Sequence, residues 1–312
     1  MEMINGTAVQ EFILEGFPAV QHLGKVLFLV HLRAYLGSIT GNMVIITFTW
    51  ADHPLETPMF VLLSYFSFCK CFFITTVVPK LLSIFLLGRQ TIPFIACVIQ
   101  AFSFLYLGST IAFFRGVMFV DWYLATCNPL HYSTITNLRV CVLCWVLCYT
   151  LSFIFIIGLA MKVSQLSFCG PNVIPHFFCD IGLLTHLSCS NTHSFETYVF
   201  FIAIFVILIS LLIAIITYSH IVVTIVHLPS TMEQQKAFCT CSFYHMILSL
   251  MYSSCVFIYL KPKQTNRLDS NREAALVNTV VTPLLNPVIY TLRNKQVHQA
   301  LKGTLSRVKL QK

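Results

Sequence analysis

Charge is what this sequence has least of. Of its 312 residues, 10% are Asp, Glu, Lys or Arg and 57% are hydrophobic, whereas a soluble domain carries roughly 25% charged and 45–50% apolar residues. A water-facing surface of ordinary extent is therefore excluded. Acids are rarest, 11 against 19 Lys and Arg, too few for the paired carboxylates of general acid–base chemistry. The 11 histidines fall at no metal-ligand spacing, and a glycine-rich phosphate loop is missing. No catalytic residue, metal, cofactor or nucleic-acid partner is expected. The alternating strands of roughly ten residues that a membrane β-barrel requires are missing too.

What is present is a series of long apolar runs. A helix crosses the hydrocarbon of a bilayer with about 20 apolar residues, and seven segments qualify: Gly24–Trp50, Met59–Leu87, Ile92–Trp122, Val140–Met161, Phe195–Val226, Ala237–Leu260 and Ala274–Leu292. Lipid obliges each backbone amide to pair within its own segment. The expected fold is an all-α membrane protein, a seven-transmembrane-helix bundle forming a single domain over residues 1–312. A short amphipathic C-terminal helix is expected after Leu292, where Val297, Leu301, Leu305 and Val308 recur between Lys and Arg. Such a helix suits the anionic inner leaflet of the lipid bilayer.

The ends of the chain orient it. The polar start has no apolar h-region, so the first span is expected to direct insertion. Residues 1–24 carry Glu2, Glu11 and Glu15 without a Lys or Arg, whereas the tail from 293 carries Arg293, Lys295, Lys302, Arg307, Lys309 and Lys312 without an acid. The positive-inside rule then puts the N-terminus outside a plasma membrane and the C-terminus inside, although the loop at 261–272, assigned outside, is also basic. Asn5-Gly6-Thr7 is a glycosylation acceptor in the expected outer tail. Of 13 cysteines, most lie within spans as small packing residues, Cys141, Cys144 and Cys148 among them. Cys97, Cys169, Cys179 and Cys189 fall at an outer helix end and in the long outer loop, where oxidation is permitted. Four cysteines allow three pairings.

Five motifs follow in order: PMFVLLSYFSF from Pro58, VDWYLATCNPLHY from Val120, FCGPNVIPHFFCD from Phe168, KAFCTCSFY from Lys236 and PLLNPVIYTLRNK from Pro283. Together they resemble the vertebrate odorant receptors, a branch of the rhodopsin-like G-protein-coupled receptors, over nearly all of residues 5 to 306. The resemblance implies a Cys97–Cys179 bridge from the third span to the outer loop and a second loop bridge, Cys169–Cys189. Gly41-Asn42 matches the first-span pair, and Asn286, Pro287 and Tyr290 match the seventh-span switch. Tyr218 and Tyr252 match a fifth-span tyrosine and a sixth-span aromatic.

It also implies a ligand site. Phe104, Gly108 and Ser109 on the third span would offer an aromatic wall, a gap and a hydroxyl. Facing them would be Ile202 and Val206 on the fifth span, Tyr252, Cys255, Val256 and Tyr259 on the sixth, and Thr279 on the seventh. Such a pocket suits a small volatile or moderately polar organic molecule. The implied partner inside the cell is a stimulatory heterotrimeric G protein, met by the loop around Asn128 to Tyr132, the region from Tyr218 to Lys236, and the tail.

The pattern breaks in the functional core. Where the family has Asp-Arg-Tyr at the end of the third span, this chain has Asp121, Trp122 and Tyr123. Indole has one N–H donor and no charge, so Trp122 cannot reproduce a guanidinium fork. Lys70 stands where the family has a second-span acid, Ile111 replaces a third-span glutamate, and Arg115 replaces a leucine. The lost acids belong to a cluster that holds sodium in related receptors, and a cation cannot bind here. Ile111, Arg115 and Trp122 share one helical face, so they are expected along a single line of transmission. Tyr244 replaces a sixth-span histidine. The expected function is odorant reception through a G protein, with coupling weakened by Lys70, Arg115 and Trp122. The alternative is a non-signalling seven-span ligand-binding protein, a decoy or relic receptor. A transporter using Lys70 and Arg115 as a polar path would call for inverted repeats, and none is seen.

Overall fold

The computed structural model describes residues 10–51, 58–168, 172–190 and 192–227, with positions 232, 234, 235, 249, 252, 253, 272, 273, 275 and 276 beyond them. Five long helices carry the fold: α1 (Gly24–Ala51), α2 (Pro58–Leu87), α3 (Phe94–Cys127), α5 (Leu138–Ser164) and, after the short α6 (Ile181–His186), α7 (His193–Val226). Each is long and apolar enough to cross a membrane. They match the first five expected spans. The expected segments Ala237–Leu260 and Ala274–Leu292, the tail helix, and Asn5 lie outside the described residues apart from isolated positions.

Helix boundaries follow from capping chemistry. The Asn137 side chain accepts from the Val140 N–H at 3.1 Å and starts α5 two residues earlier than the apolar run. Pro129 occupies the first turn of the short α4 (Pro129–Ile135), where its missing N–H costs nothing, so the chain bends after α3. The third helix continues five residues past the expected end at Trp122, to Cys127.

Among the described helices α2 is the central one, with 67% of its apolar window buried against 17–28% for the others. It packs on α1, α3 and α5, and α3 in turn packs on α5 and α7. The helix is apolar nearly throughout, with no polar stripe, and the one face it leaves uncovered, through Phe68, Phe72, Thr75 and Pro79, is mostly apolar as well.

One end of the bundle carries a three-stranded sheet in the order β2-β1-β3, an addition to the all-α fold expected. Strand β1 (Glu11–Leu14) runs antiparallel to β2 (Gln90–Pro93), with Phe12 opposite Ile92, and parallel to β3 (Val173–Ile174). The alternation of a strand sends Phe12 and Leu14 inward, where both are fully buried. Phe12 meets Phe168 edge to face at 5.2 Å. Gly16 then turns the chain at φ +67°, and a Cβ there would collide with Ile84. Phe17 follows and stacks on both Phe85 and Phe177.

Beside β3 the chain buries His176, whose ring stacks on Phe177 at 4.6 Å and whose Nδ1 has no hydrogen-bond partner among the described residues. Burial, and next the charge of Arg272, lower its pKa from 6.5 to about 3. An imidazole neutral in the fold and normal when unfolded contributes stability that is fully present above pH 6.5 and lost as pH falls toward 3. The thermal midpoint of the purified protein should therefore drop on acidification from pH 6.5 to 4, and His176→Leu should flatten that drop. Phe12→Ala should cost about 3 kcal/mol or more in a thermal unfolding series, and Ile13→Ala on the outward face distinctly less.

Candidate functional site

The site is built from the sheet end downward. Cys97, one turn into α3, is joined to Cys179 by a disulfide, with Cα atoms 5.5 Å apart. Gln100 reinforces the tie without a covalent bond: its Oε1 accepts from the Cys179 N–H at 3.1 Å, and its Nε2 donates to the Thr76 carbonyl of α2 at 2.9 Å. Three segments are thus pinned at one level. Cys189 is also disulfide-bonded; Cys169, its implied partner, lies outside the described residues.

Arg272 closes the same end from the far side of the sequence. It is 3% exposed. Its Nε donates to the Pro175 carbonyl and a terminal nitrogen to Glu15, both at 2.9 Å. Glu15 also meets the exposed Arg89 at 3.3 Å. A charge-assisted contact between largely buried groups is stronger than a surface pair, so Arg272 staples β1 to the β3 loop. Lys80 likewise extends from α2 to the Thr91 carbonyl at 2.8 Å. Reading the sequence passed over Gln100, Glu15 and Arg272; the local signal was an acid beside a hydrophobic tetrapeptide and one arginine before an apolar run.

Below the loop, Phe104 of α3 lies between Phe178, at 4.6 Å, and Phe73 of α2, at 5.1 Å. Gly108 is one turn deeper on the same side, and a Cβ there would come 3.6 Å from the Phe73 ring. The Ser109 hydroxyl donates to the Tyr106 carbonyl at 3.0 Å, within its own helix. Ile202 packs against the apolar core under the sheet, as Phe104 does, and Val206 is buried one turn further along α7. The structure brings Phe104, Phe178 and Phe73 together, with Ile202 on the same core.

Tyr252 lies further along α7. Its hydroxyl shares a hydrogen bond with Ser210 of α7, and its ring packs with Phe119 and Ala214. Phe119 is fifteen residues beyond Phe104 on α3, roughly 22 Å along the helix. Tyr252 therefore meets α7 at Ser210, one turn beyond Val206. Cys255, Val256, Tyr259, Thr279, Asn286, Pro287, Tyr290 and Tyr244 lie outside the described residues.

At the opposite end of the bundle Asp121 accepts from the Tyr132 hydroxyl of α4 at 3.0 Å. Trp122, Tyr123, Cys127 and Tyr218 surround the buried Ile221 and Ile225 of α7. The Cys127 thiol and the Thr224 hydroxyl are 3.1 Å apart. Where an arginine would be drawn to the aspartate, the indole instead completes an apolar plug between α3 and α7.

Lys70 and Arg115 are 2% and 4% exposed. Both gather around one ring: the Lys70 Nζ lies 5.4 Å from the Phe66 centroid and the Arg115 Cζ 5.9 Å from it. Each charge near a bilayer centre costs about 2.5–3.5 kcal/mol on insertion scales, of which a cation–π contact offsets about 0.5–2 kcal/mol. The single line expected through Ile111, Arg115 and Trp122 is corrected here. Ile111 and Arg115 face α2 residues, whereas Trp122 packs on α7, because the large indole reaches sideways to the neighbour its helix crosses.

The olfactory receptor family profile matches residues 31–308. Human olfactory receptor 6C75 is 41% identical over 306 residues, covering 98% of both chains, and human olfactory receptor 6C2 shows the same identity and coverage. Mouse olfactory receptor 6E1 is 42% identical over 306 residues, again 98% of both. Five apolar spanning helices make the chain a multi-pass membrane protein, and it belongs to the olfactory receptor family of G-protein-coupled receptors, which are not enzymes.

Proposed function

We propose that this odorant receptor binds a small volatile or moderately polar organic molecule beneath the Cys97–Cys179 loop and signals, with weakened coupling, through a stimulatory heterotrimeric G protein. The observation that carries the reading is the aromatic group under the loop, Phe104 between Phe178 and Phe73. The packed rings form an apolar face, and the covalent tie at Cys179 holds that face in place. Gly108, Ser109, Ile202 and Val206 border it, and Cys255, Val256, Tyr259 and Thr279 are the proposed groups across from it. An apolar pocket with few hydrogen-bonding groups favours small organic molecules over ions or peptides.

In this reading the sheet end faces outside and the α3–α4 end faces the cytosol. The acidic N-terminal tail, the basic C-terminal tail, the disulfides and the Asn5 acceptor support that orientation. Ligand shifts the population toward a conformation opened at the cytosolic end, in proportion to its differential affinity for that state. The plug of Trp122 against Ile221 and Ile225 opposes the opening. It also offers the G protein an indole where the family has a guanidinium.

Two measurements test this. Phe104→Ala should weaken agonist potency by roughly tenfold or more in a cyclic AMP assay at unchanged surface abundance; unaltered potency would place the ligand elsewhere. The double substitution Lys70→Asp with Trp122→Arg should raise the maximal response severalfold, and an equal response at equal surface abundance refutes weakened coupling.

A further inference from the structure

We infer that the lipid-facing side of α1 is a docking surface for a transmembrane helix of another protein, one that brings a carboxylate to Arg33. Arg33 is exposed and makes no hydrogen bond, ion pair or ring contact among the described residues. It lies within the 28-residue α1, its Cα roughly 13 Å from the sheet end of the helix and roughly 7 Å from the helix midpoint. The hydrocarbon extends about 15 Å to either side of the bilayer centre, so with the helix centred the backbone at Arg33 is well inside it.

Periodicity fixes the direction. The buried face of α1 runs through His31, Ser38, Asn42, Ile45 and Thr49. Arg33 comes about two and a half turns before Asn42 and therefore points away from the bundle. Beside it on that side are Leu29, Gly37 and Thr40, all exposed. The Thr40 hydroxyl also makes no hydrogen bond among the described residues. Thr47, further along the same helix, instead donates to the Met43 and Val44 carbonyls at 2.9 and 3.1 Å.

A charge and a hydroxyl thus face hydrocarbon on either side of a glycine. Lipid tails offer an acceptor to neither, and a charged side chain within a span is ordinarily turned inward or paired. Gly37 and Gly41, one turn apart, leave a notch in which the backbone of another helix approaches closely. A guanidinium has five donors and no acceptor, and a carboxylate matches it with two parallel bonds. Snorkelling to a lipid phosphate serves Arg33 alone and leaves Thr40 and the notch uncovered, whereas a helix covers all three.

A second copy of this chain does not fit. Across a two-fold axis through this face Arg33 meets Arg33. The seven apolar segments hold two acids, Asp121 and Glu196. Asp121 is buried at the opposite end of the bundle and bonded to Tyr132. Glu196 lies in the first turn of α7, where it accepts from the Thr192 hydroxyl at 3.0 Å.

The test uses the full-length chain in phosphatidylcholine vesicles, labelled with a fluorescent donor at its C-terminus. The probe is an acceptor-labelled, leucine-rich spanning peptide with one glutamate about a turn from its midpoint. Energy transfer should report association roughly tenfold tighter than for the same peptide with leucine in place of the glutamate. Arg33→Leu should abolish that difference, and Gly37→Leu should weaken binding of the glutamate peptide. Equal association of the two peptides with the unmodified chain overturns the proposal and leaves Arg33 to lipid phosphate. Association undiminished in either variant overturns it too, as does energy transfer between two copies of the chain that falls in Arg33→Leu. The peptide comparison needs no variant, so it decides the matter even where Arg33→Leu does not fold. No odorant response enters these readouts, so they stand or fall apart from the receptor reading.

Discussion

The tie between Cys97 and Cys179 is the constraint on which the sheet end depends. Helices in lipid gain nothing from hiding apolar surface from water, because lipid tails are as apolar as leucine. What positions them is contact, hydrogen bonding and covalent linkage. The disulfide anchors the loop to α3, and Gln100 adds α2 through Thr76 and the loop through the Cys179 amide. With that point held, Phe177 and Phe178 lie over the bundle, and Phe17 and Phe104 have rings to stack on. The N-terminal strand can then complete the layer, since β3 on one side and β2 on the other are already placed.

The two ends of the bundle are closed by opposite chemistry. At the sheet end the closure is polar: ladder bonds, Arg272 on Pro175 and Glu15, and Lys80 on Thr91. Directional bonds resist sliding and hold a loop in one place. At the other end the closure is apolar, with Trp122 and Tyr218 about Ile221 and Ile225. Apolar contact is non-directional and yields to a small rotation by repacking. A rigid lid at one end and a repackable plug at the other is the arrangement a transmitting bundle needs, and here the plug has an indole at its centre. The hydrogen bond from Tyr132 keeps Asp121 satisfied without the arginine, which explains how the fold tolerates the loss.

The helices were legible because a membrane span writes itself in about twenty consecutive residues, and five are where the apolar runs lie. The sheet was not. Strand β1 is four residues long, and its partners are some eighty and a hundred and sixty residues away; nothing local distinguishes Glu11–Leu14 from a polar tail with three apolar residues. Arg272 was hidden for the same reason, its partners Glu15 and Pro175 lying 257 and 97 residues away. Phe104 was found on a helix face, but which helix that face meets is a tertiary fact, and its neighbours proved to be Phe73 and Phe178. Tyr252 was placed by likeness to a family pattern, and its actual level along α7, beside Ser210, depends on how two helices are offset.

Helical periodicity places Trp122 near the azimuth of Arg115, yet the two side chains meet different helices. Their separation has a consequence for coupling. The cationic group at Lys70 and Arg115 lies between α2 and α3, whereas the plug lies between α3 and α7, so α3 is the one element common to both. A change of charge between α2 and α3 reaches the plug only as a movement of α3 itself. Because packed interfaces are bistable more than they are elastic, such a movement repacks Trp122 against α7 or leaves it in place. The charge at the core and the apolar contact at the end thus act on a single helix, α3.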